Sequence, residues 1–347
     1  MQIRTIDWIG NKVKIIDQTK LPGKLEFIYI DDLKELWQAI KTMKIRGAPA
    51  LGAMAGFGVF LGIKDSRAGN FSEFARGLDR VTSYIASSRP TARNLFWALE
   101  RVANAALKNK NKPLPAIKKL ILEEAKKIME EDRSACRCIA GYGAKLFRKN
   151  DTVLTICNAG ILATIDYGTA LGVIYRACEQ QKGIKVFSCE TRPVLQGARL
   201  TSWELKKKGV DVTLICDSMA AALMREGKIK KVIAGADRIA SNGDTANKIG
   251  TYSLAVLSHY HKIPFYIAAP VSTFDLTIKS GRGIPIEERP GREVTELFFA
   301  KPIAPEGVKV FNPAFDVTPH NLISSIITDK GIIKPPYKIN IKKILGK

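Results

Sequence analysis

A chain of 347 residues, 46% hydrophobic and 25% charged, carries enough apolar side chain for two domains, or for one domain with a large extension. Six cysteines without a paired framework beyond Cys136 and Cys138 argue against a disulfide scaffold, and three histidines argue against a His-based metal centre. The net charge of +22 raises nucleic acid or an anionic substrate as partners, yet it is spread through runs such as Lys118-Lys119, Lys126-Lys127 and Lys206-Lys207-Lys208 without interleaved aromatics, the pattern of a solvated basic surface.

The N-terminal stretch MQIRTIDWIGNKVKII lacks the apolar centre of a signal peptide, and the longest apolar run, 51–63, is too short and glycine-rich to span a bilayer. The expectation is a cytoplasmic protein that engages neither membrane nor nucleic acid. Residues 3–7, 12–17 and 24–30 read as strands, with Gly10-Asn11 and Leu21-Pro22-Gly23 as turns, so the chain opens with a small antiparallel meander. Asp31 and Asp32 cap a helix reaching about Met43. In the next loop Gly47 lets backbone approach a ligand and Pro49 suits the first turn of a helix, while Gly52, Ala53, Ala55, Gly56 and Gly58 permit close helix packing. A loop at 87–92 leads into a further helix, and 114–148 reads as a long charged connecting helix.

Beyond residue 150 short apolar strands alternate with helices. The strands are 152–157, 184–189, 211–216, 231–236, 264–269 and 308–311, and helices begin near Leu162, Leu195, Ser218, Ala246 and Pro319. The fold class is therefore α/β: a C-terminal doubly wound parallel sheet, Rossmann-like, with a smaller N-terminal α+β domain of meander and helices. The expected boundaries are 1–130 for the first domain, a connecting helix to about 148, and 149–347 for the second. The centre of the second is 231–270, where a buried strand ends at Asp237-Arg238 and a helix over 246–261 holds Asn247 and Lys248 in its first turn.

In such a sheet the C-terminal strand ends share one edge, which collects Cys157-Asn158, 190–196, Asp217-Ser218, Asp237 and 270–273. Desolvation there raises the pKa of Asp237 and suits it to general acid work, unless it pairs with Arg238 or Arg192. Cys157 precedes a glycine-containing loop whose amides favour thiolate or bind anions, whereas Cys189 and Cys216 show that strand-end cysteines are also ordinary packing. Glu190, Arg192, Gln196 and Arg199 offer the carboxylate, amide and guanidinium groups that sugar hydroxyls and phosphate need, or else a structural salt-bridge cluster. Arg46 with the amides of Gly47 and Ala48, Arg89, and Asn247 with Lys248 are candidates for phosphate or hydroxyl binding. Without a Walker A loop, a GxGxxG fingerprint or Cys/His metal spacing, a small phosphorylated ligand is favoured over nucleotide or metal chemistry.

The blocks IRGAPALG (45–52), SRPTA (88–92), CNAG (157–160), ETRPVLQGARLTSWEL (190–205), GADRIASNGDTANKIGTY (235–252), IPIEER (284–289) and NPAFDVTP (312–319) resemble the family of 5-methylthioribose-1-phosphate isomerases. That family shares its fold with ribose-1,5-bisphosphate isomerases and with the regulatory subunits of eukaryotic initiation factor 2B. The resemblance implies a cofactor-free homodimeric aldose-ketose isomerase of methionine salvage acting on a phosphorylated sugar. It implies Asp237 as proton donor, Cys157 as base or transition-state stabiliser, and substrate contacts from Arg46, Gly47, Ala48, Arg89, Gln196, Asn247 and Lys248. Ile156 stands where a histidine often precedes the cysteine, which makes the surroundings more apolar. The alternatives are a ribose-1,5-bisphosphate isomerase, which requires more cationic residues at the far end of the sugar, and a non-catalytic regulatory subunit.

Overall fold

The computed structural model describes residues 3–89 and 91–346; Pro90, within the loop read at 87–92, lies outside them. The described residues fall into two compact units, one within Met1–Arg137 and Ile161–Gly168, the other within Cys138–Gly160 and Thr169–Lys347.

The first unit opens with β1 (Ile6–Ile9), β2 (Lys12–Ile16) and β3 (Phe27–Ile30), paired antiparallel in that order. Gly10 and Asn11 hold positive φ of 56° and 62°, matching the twist of the hairpin they join. Helix α1 (Leu33–Lys41) starts at Asp32, whose carboxylate accepts the Glu35 N–H at 2.9 Å. Helix α2 (Ala48–Ile63) is buried on nearly every side, among α3 (Phe71–Ala86), α4 (Arg93–Lys108) and the first part of α5 (Leu114–Ala144). Its glycines make that possible: a Cβ at Gly52 would lie 3.2 Å from the Asn94 carbonyl oxygen, and one at Gly56 3.2 Å from Ala125. Phe57 stacks on Trp8 with ring centroids 5.1 Å apart, and burial of each such side chain contributes about 1.5–3 kcal/mol.

Residues 161–168 are tied into this unit. Thr5 Oγ1 donates to the Ile161 carbonyl and Gln18 Nε2 to that of Leu162, both at 2.7 Å, while the Ile165 N–H donates to Asp132 at 2.9 Å. Burial pushes the Asp132 carboxyl up to about 7 from its ordinary 3.8, with the charge of Asp166 adding to the effect. A carboxyl that holds its proton more tightly when folded lends stability that is complete below its unfolded pKa and lost as pH rises through the folded one. Stability is therefore expected to fall between about pH 4 and pH 7 by on the order of 2–4 kcal/mol. Asp132→Asn, which keeps an oxygen for the Ile165 N–H, is expected to flatten that slope. Urea midpoints of both proteins across the window check this, and equal slopes would remove Asp132 as the cause.

The second unit is built on a seven-stranded sheet in the order β14-β13-β10-β7-β4-β5-β6. In chain order its elements are β4 (Thr152–Thr155), α6 (Ala170–Glu179), β5 (Lys185–Cys189), α7 (Ser202–Lys207), β6 (Asp211–Ile215), α8 (Ala220–Arg225), β7 (Lys231–Ala234), β8 (Arg238–Ala240), β9 (Thr245–Lys248), α9 (Thr251–Tyr260), β10 (Phe265–Ala268), β11 (Phe274–Asp275), α10 (Arg292–Thr295), β12 (Phe315–Thr318), β13 (Ser325–Thr328), β14 (Gly331–Ile333) and α11 (Tyr337–Leu345). All neighbours in the large sheet are parallel except β13 and β14. The chain lays down β4, β5 and β6 in one direction, then returns to place β7, β10 and β13 on the other side of β4. The strand order therefore reverses between β4 and β7, the position at which open α/β sheets leave a crevice for ligands.

A second sheet, β11-β8-β9-β12, corrects the sequence reading in two places. Residues 246–261 are not one helix: Thr245–Lys248 is a strand, and α9 begins only at Thr251, after Gly250 with φ of 99°. The apolar spacing of that stretch is overridden by pairing, since β9 bonds to both β8 and β12. Residues 308–311 form no strand; Phe311 is 79% exposed, and the strand lies instead at Phe315–Thr318. The helices expected from Leu162 and from Pro319 are single turns, Ile161–Ala163 and His320–Leu322. No helix among the described residues is long and apolar enough to cross a membrane.

Candidate active site

Cys157 follows β4 by two residues and Asp237 follows β7 by three, so both stand at the C-terminal ends of adjacent parallel strands, at the point where strand order reverses. The two loops touch. A Cβ at Gly235 would come within 2.8 Å of the Ala159 Cβ, so glycine at that position lets the Asp237 loop close against the Cys157 loop.

Cys157 is half-buried and takes a φ of 62°, a left-handed conformation that costs a residue with a side chain about 1–3 kcal/mol. Its backbone is held from both sides. Its N–H donates to Thr191 Oγ1 at 2.8 Å, and its carbonyl accepts from Thr201 Oγ1 at 2.6 Å. The next residue, Asn158, is 4% exposed and donates from Nδ2 to Thr201 Oγ1 and to the buried Glu204 carboxylate. Gly160 completes the turn, and a Cβ there would overlap that carboxylate. The other two strand-end cysteines differ: burial pushes the Cys189 thiol far up, and the charge of Glu190 raises that of the exposed Cys216.

Asp237 is half-buried and its N–H donates to the Ala246 carbonyl at 2.9 Å, the first rung of the β8–β9 hairpin. That hairpin, and not a helix N-terminus, carries Asn247 and Lys248 to the neighbourhood of Asp237. Asn247 is 5% exposed and donates to Thr251 Oγ1 at 2.9 Å, and the Lys248 ammonium lies 4.5 Å over the Phe315 ring. Gly250 brings the end of this segment onto Ile156, beside Cys157: a Cβ there would be 2.9 Å from the Ile156 side chain. Asp316, on β12 opposite Asn247, accepts the N–H groups of Gly250 and Tyr252, and burial pushes its carboxyl up to about 6.

Gln196 is 3% exposed, and its Oε1 is buried with no hydrogen-bond partner among the described residues. Arg192 donates to the Val294 carbonyl at 2.6 Å and Arg238 reaches Asp275 at 3.4 Å. Arg199 and Arg192 lie over the rings of Phe298 and Phe299, at 4.5 and 5.2 Å, so both guanidinium groups anchor the loop around residue 298.

Arg46, Gly47, Ala48 and Arg89 belong to the first unit. Gly47 has φ of 98°, and a Cβ on it would overlap Ala163, so no other residue fits. Ala48 starts α2, with its amide at the helix N-terminus, and Arg46 is only 9% exposed. Arg89 precedes α4, and because Gly52 of α2 meets Asn94 of α4, the loops before these two helices lie at one end of the unit. Thr191, Thr201, Glu204 and Asp217 were given no role from sequence, although each falls in or beside a block that drew attention. For Thr191, Thr201 and Glu204 the signal is a polar residue at a buried position, and for the part-buried Asp217 it is the pair of backbone N–H groups it accepts; one sequence reveals neither.

Residues 44–335 match the Initiation factor 2 subunit family. The methylthioribose-1-phosphate isomerase of Geotalea uraniireducens is 54% identical over 347 residues, covering all of both chains. The 5-deoxyribose 1-phosphate isomerase of Moorella thermoacetica is 53% identical over 99% of this chain and 98% of its own length. The crystal structure of 5-methylthioribose 1-phosphate isomerase from Pyrococcus horikoshii OT3 superposes with a TM-score of 0.89 at 45% identity, covering 99% of this chain and 96% of that one.

Proposed function

This chain belongs to the Initiation factor 2 subunit family, and from that premise we propose that it isomerises 5-methylthioribose 1-phosphate to 5-methylthioribulose 1-phosphate, as a cytoplasmic enzyme of methionine salvage. The observation that carries the reading is the placement of Cys157 and Asp237 on touching loops at the switch point between β4 and β7. Phosphate on the anomeric oxygen blocks simple hemiacetal opening of the sugar. Asp237 supplies a proton to the ring oxygen as its bond to C1 breaks, and C1 is left electron-deficient. Hydrogen then moves from C2 to C1. It travels either as a hydride, while the C2 hydroxyl gives up its proton, or as a proton taken by Cys157 through an enediol. The apolar flank made by Ile156 and Gly250 supports either route by limiting water. Gln196 and Asn247 serve as hydroxyl partners. Lys248, in the same unit, serves the phosphate.

The expected result with purified protein is turnover of 5-methylthioribose 1-phosphate at about 1–100 per second, with none of ribose 1,5-bisphosphate. 5-Deoxyribose 1-phosphate is a second substrate to expect, since the Moorella relative bears that name and the two sugars share the C1 phosphate and an uncharged 5′ end. Inertness toward all three sugars would favour the regulatory-subunit reading. Deuterium at C2 tests the routes: exchange with solvent marks the path through Cys157, and retention at C1 counts against free proton exchange. The reading includes a homodimer. It is supported by Tyr252, Val256 and Tyr260, spaced by four along α9 and all exposed, and sedimentation of the same preparation as a single chain would remove it.

A further inference from the structure

Asp217 follows β6, two strands away from the Cys157 loop. Its two carboxylate oxygens accept the N–H of Thr191 at 2.8 Å and of Arg192 at 2.7 Å, which fixes the turn after β5. Thr191 is wholly buried and itself in the left-handed region, with φ of 67°. Its hydroxyl hydrogen goes to the Cys189 carbonyl at 3.1 Å, so the oxygen is turned to accept, and what it accepts is the N–H of Cys157 at 2.8 Å. A carboxylate on one strand end thus sets a hydroxyl on the next, and the hydroxyl sets the backbone that carries the thiol. Both held residues are left-handed, a conformation that the surrounding bonds must maintain.

We propose that Thr191 and Asp217 are positioning residues for Cys157, which hold the thiol in the geometry that hydrogen transfer needs. The proposal rests on the isomerase reading for its kinetic consequence but not for its structural one. Thr191→Val keeps the shape and removes the acceptor, and a displacement of about 1 Å at a reacting group costs on the order of a hundredfold in rate. The expected result is a kcat about a hundredfold lower with KM within about threefold, rescue to near the parent value by Thr191→Ser, and a smaller loss, about tenfold, for Asp217→Asn. Hydrogen exchange at the Cys157 amide reads the bond itself and is expected to quicken about fivefold to tenfold in Thr191→Val and to stay at the parent rate in Thr191→Ser.

If the parent protein isomerises none of the sugars, the exchange measurement still decides the structural half. Unchanged exchange in Thr191→Val overturns the proposal. So does an equal loss of kcat in the Ser and Val variants, which would make Thr191 a packing residue. Should Thr191→Val not fold, Asp217→Asn carries the test alone, and parent values of both kcat and Cys157 exchange in it would end the relay.

Discussion

Asp237→Asn is expected to lower isomerase kcat by about 10²–10⁴-fold, while the protein melts with the parent. The backbone of this residue is secured through its N–H bond to Ala246 in the β8–β9 hairpin, and the change leaves that bond in place while it removes a proton donor. Asparagine is nearly isosteric and has no acidic proton to give the ring oxygen, so the loss falls on kcat, with KM moving little. Cys157→Ala is expected to behave alike. Alanine bears the same left-handed strain as cysteine, and the two threonine bonds that hold position 157 are to backbone atoms that remain. Steady-state kinetics on both variants, with thermal unfolding as the control for fold, make the measurement. Turnover of either within about threefold of the parent would take that residue out of the mechanism. The two losses should not add, because each group acts on the same substrate in one sequence of bond changes.

That the two groups share one sheet edge was legible in the sequence because it follows from topology. Short apolar runs separated by helical stretches specify a parallel sheet with right-handed crossovers, and such a sheet puts every strand's C-terminal end on one edge. Cys157 and Asp237 could be assigned to that edge without coordinates, and so could Gln196. The error over Asn247 and Lys248 has a different origin. The stretch 246–261 has helical spacing, and what makes its first three residues a strand, together with Thr245, is the pairing of β9 with Phe315–Thr318, some seventy positions later, which no local pattern encodes. The same remoteness explains why Asp217, placed on the sheet edge, and Asp316, within the block 312–319, carry no role in the sequence reading. Each is a carboxylate whose work is to accept N–H groups of a segment distant in sequence, and from sequence alone each looks like any surface acid. The clamp on Cys157 was hidden for a further reason. Its φ of 62° is not implied by the residue type, since a left-handed turn is more often marked by glycine or asparagine, and here the asparagine comes one position too late.

Gly197→Ala is expected to be the most damaging single methyl in the second unit. Gly197 follows Gln196 and opens the wide turn Gly197–Thr201, where a Cβ would overlap the Cys189 carbonyl oxygen and sit 2.9 Å from Thr191 Oγ1. The obstacle is backbone at the end of β5, a strand bonded to β4 on one side and β6 on the other, so it has no room to recede. Relief must come from the turn itself. Moving it shifts Gln196 on one side and Thr201 on the other, and Thr201 is the residue that donates to the Cys157 carbonyl. An overpacked site whose neighbour cannot relax costs about 3 kcal/mol or more, which in a domain of this size lowers the melting temperature by about 10 °C. Activity should fall with it at temperatures where the protein is still folded, because the displaced turn carries both a proposed substrate contact and half of the support for the thiol. Gly141→Ala is the matched control. It lies inside α5 with nothing within 4 Å of its Cβ position, and alanine there should be neutral or stabilise by up to about 1 kcal/mol. Calorimetric melting of the two variants beside the parent, with kcat measured at 25 °C, separates the cases. A Gly197→Ala protein that melts and turns over like Gly141→Ala would mean that the close approach of the turn to β5 does not exist in solution, and with it would go the account of how position 157 is held.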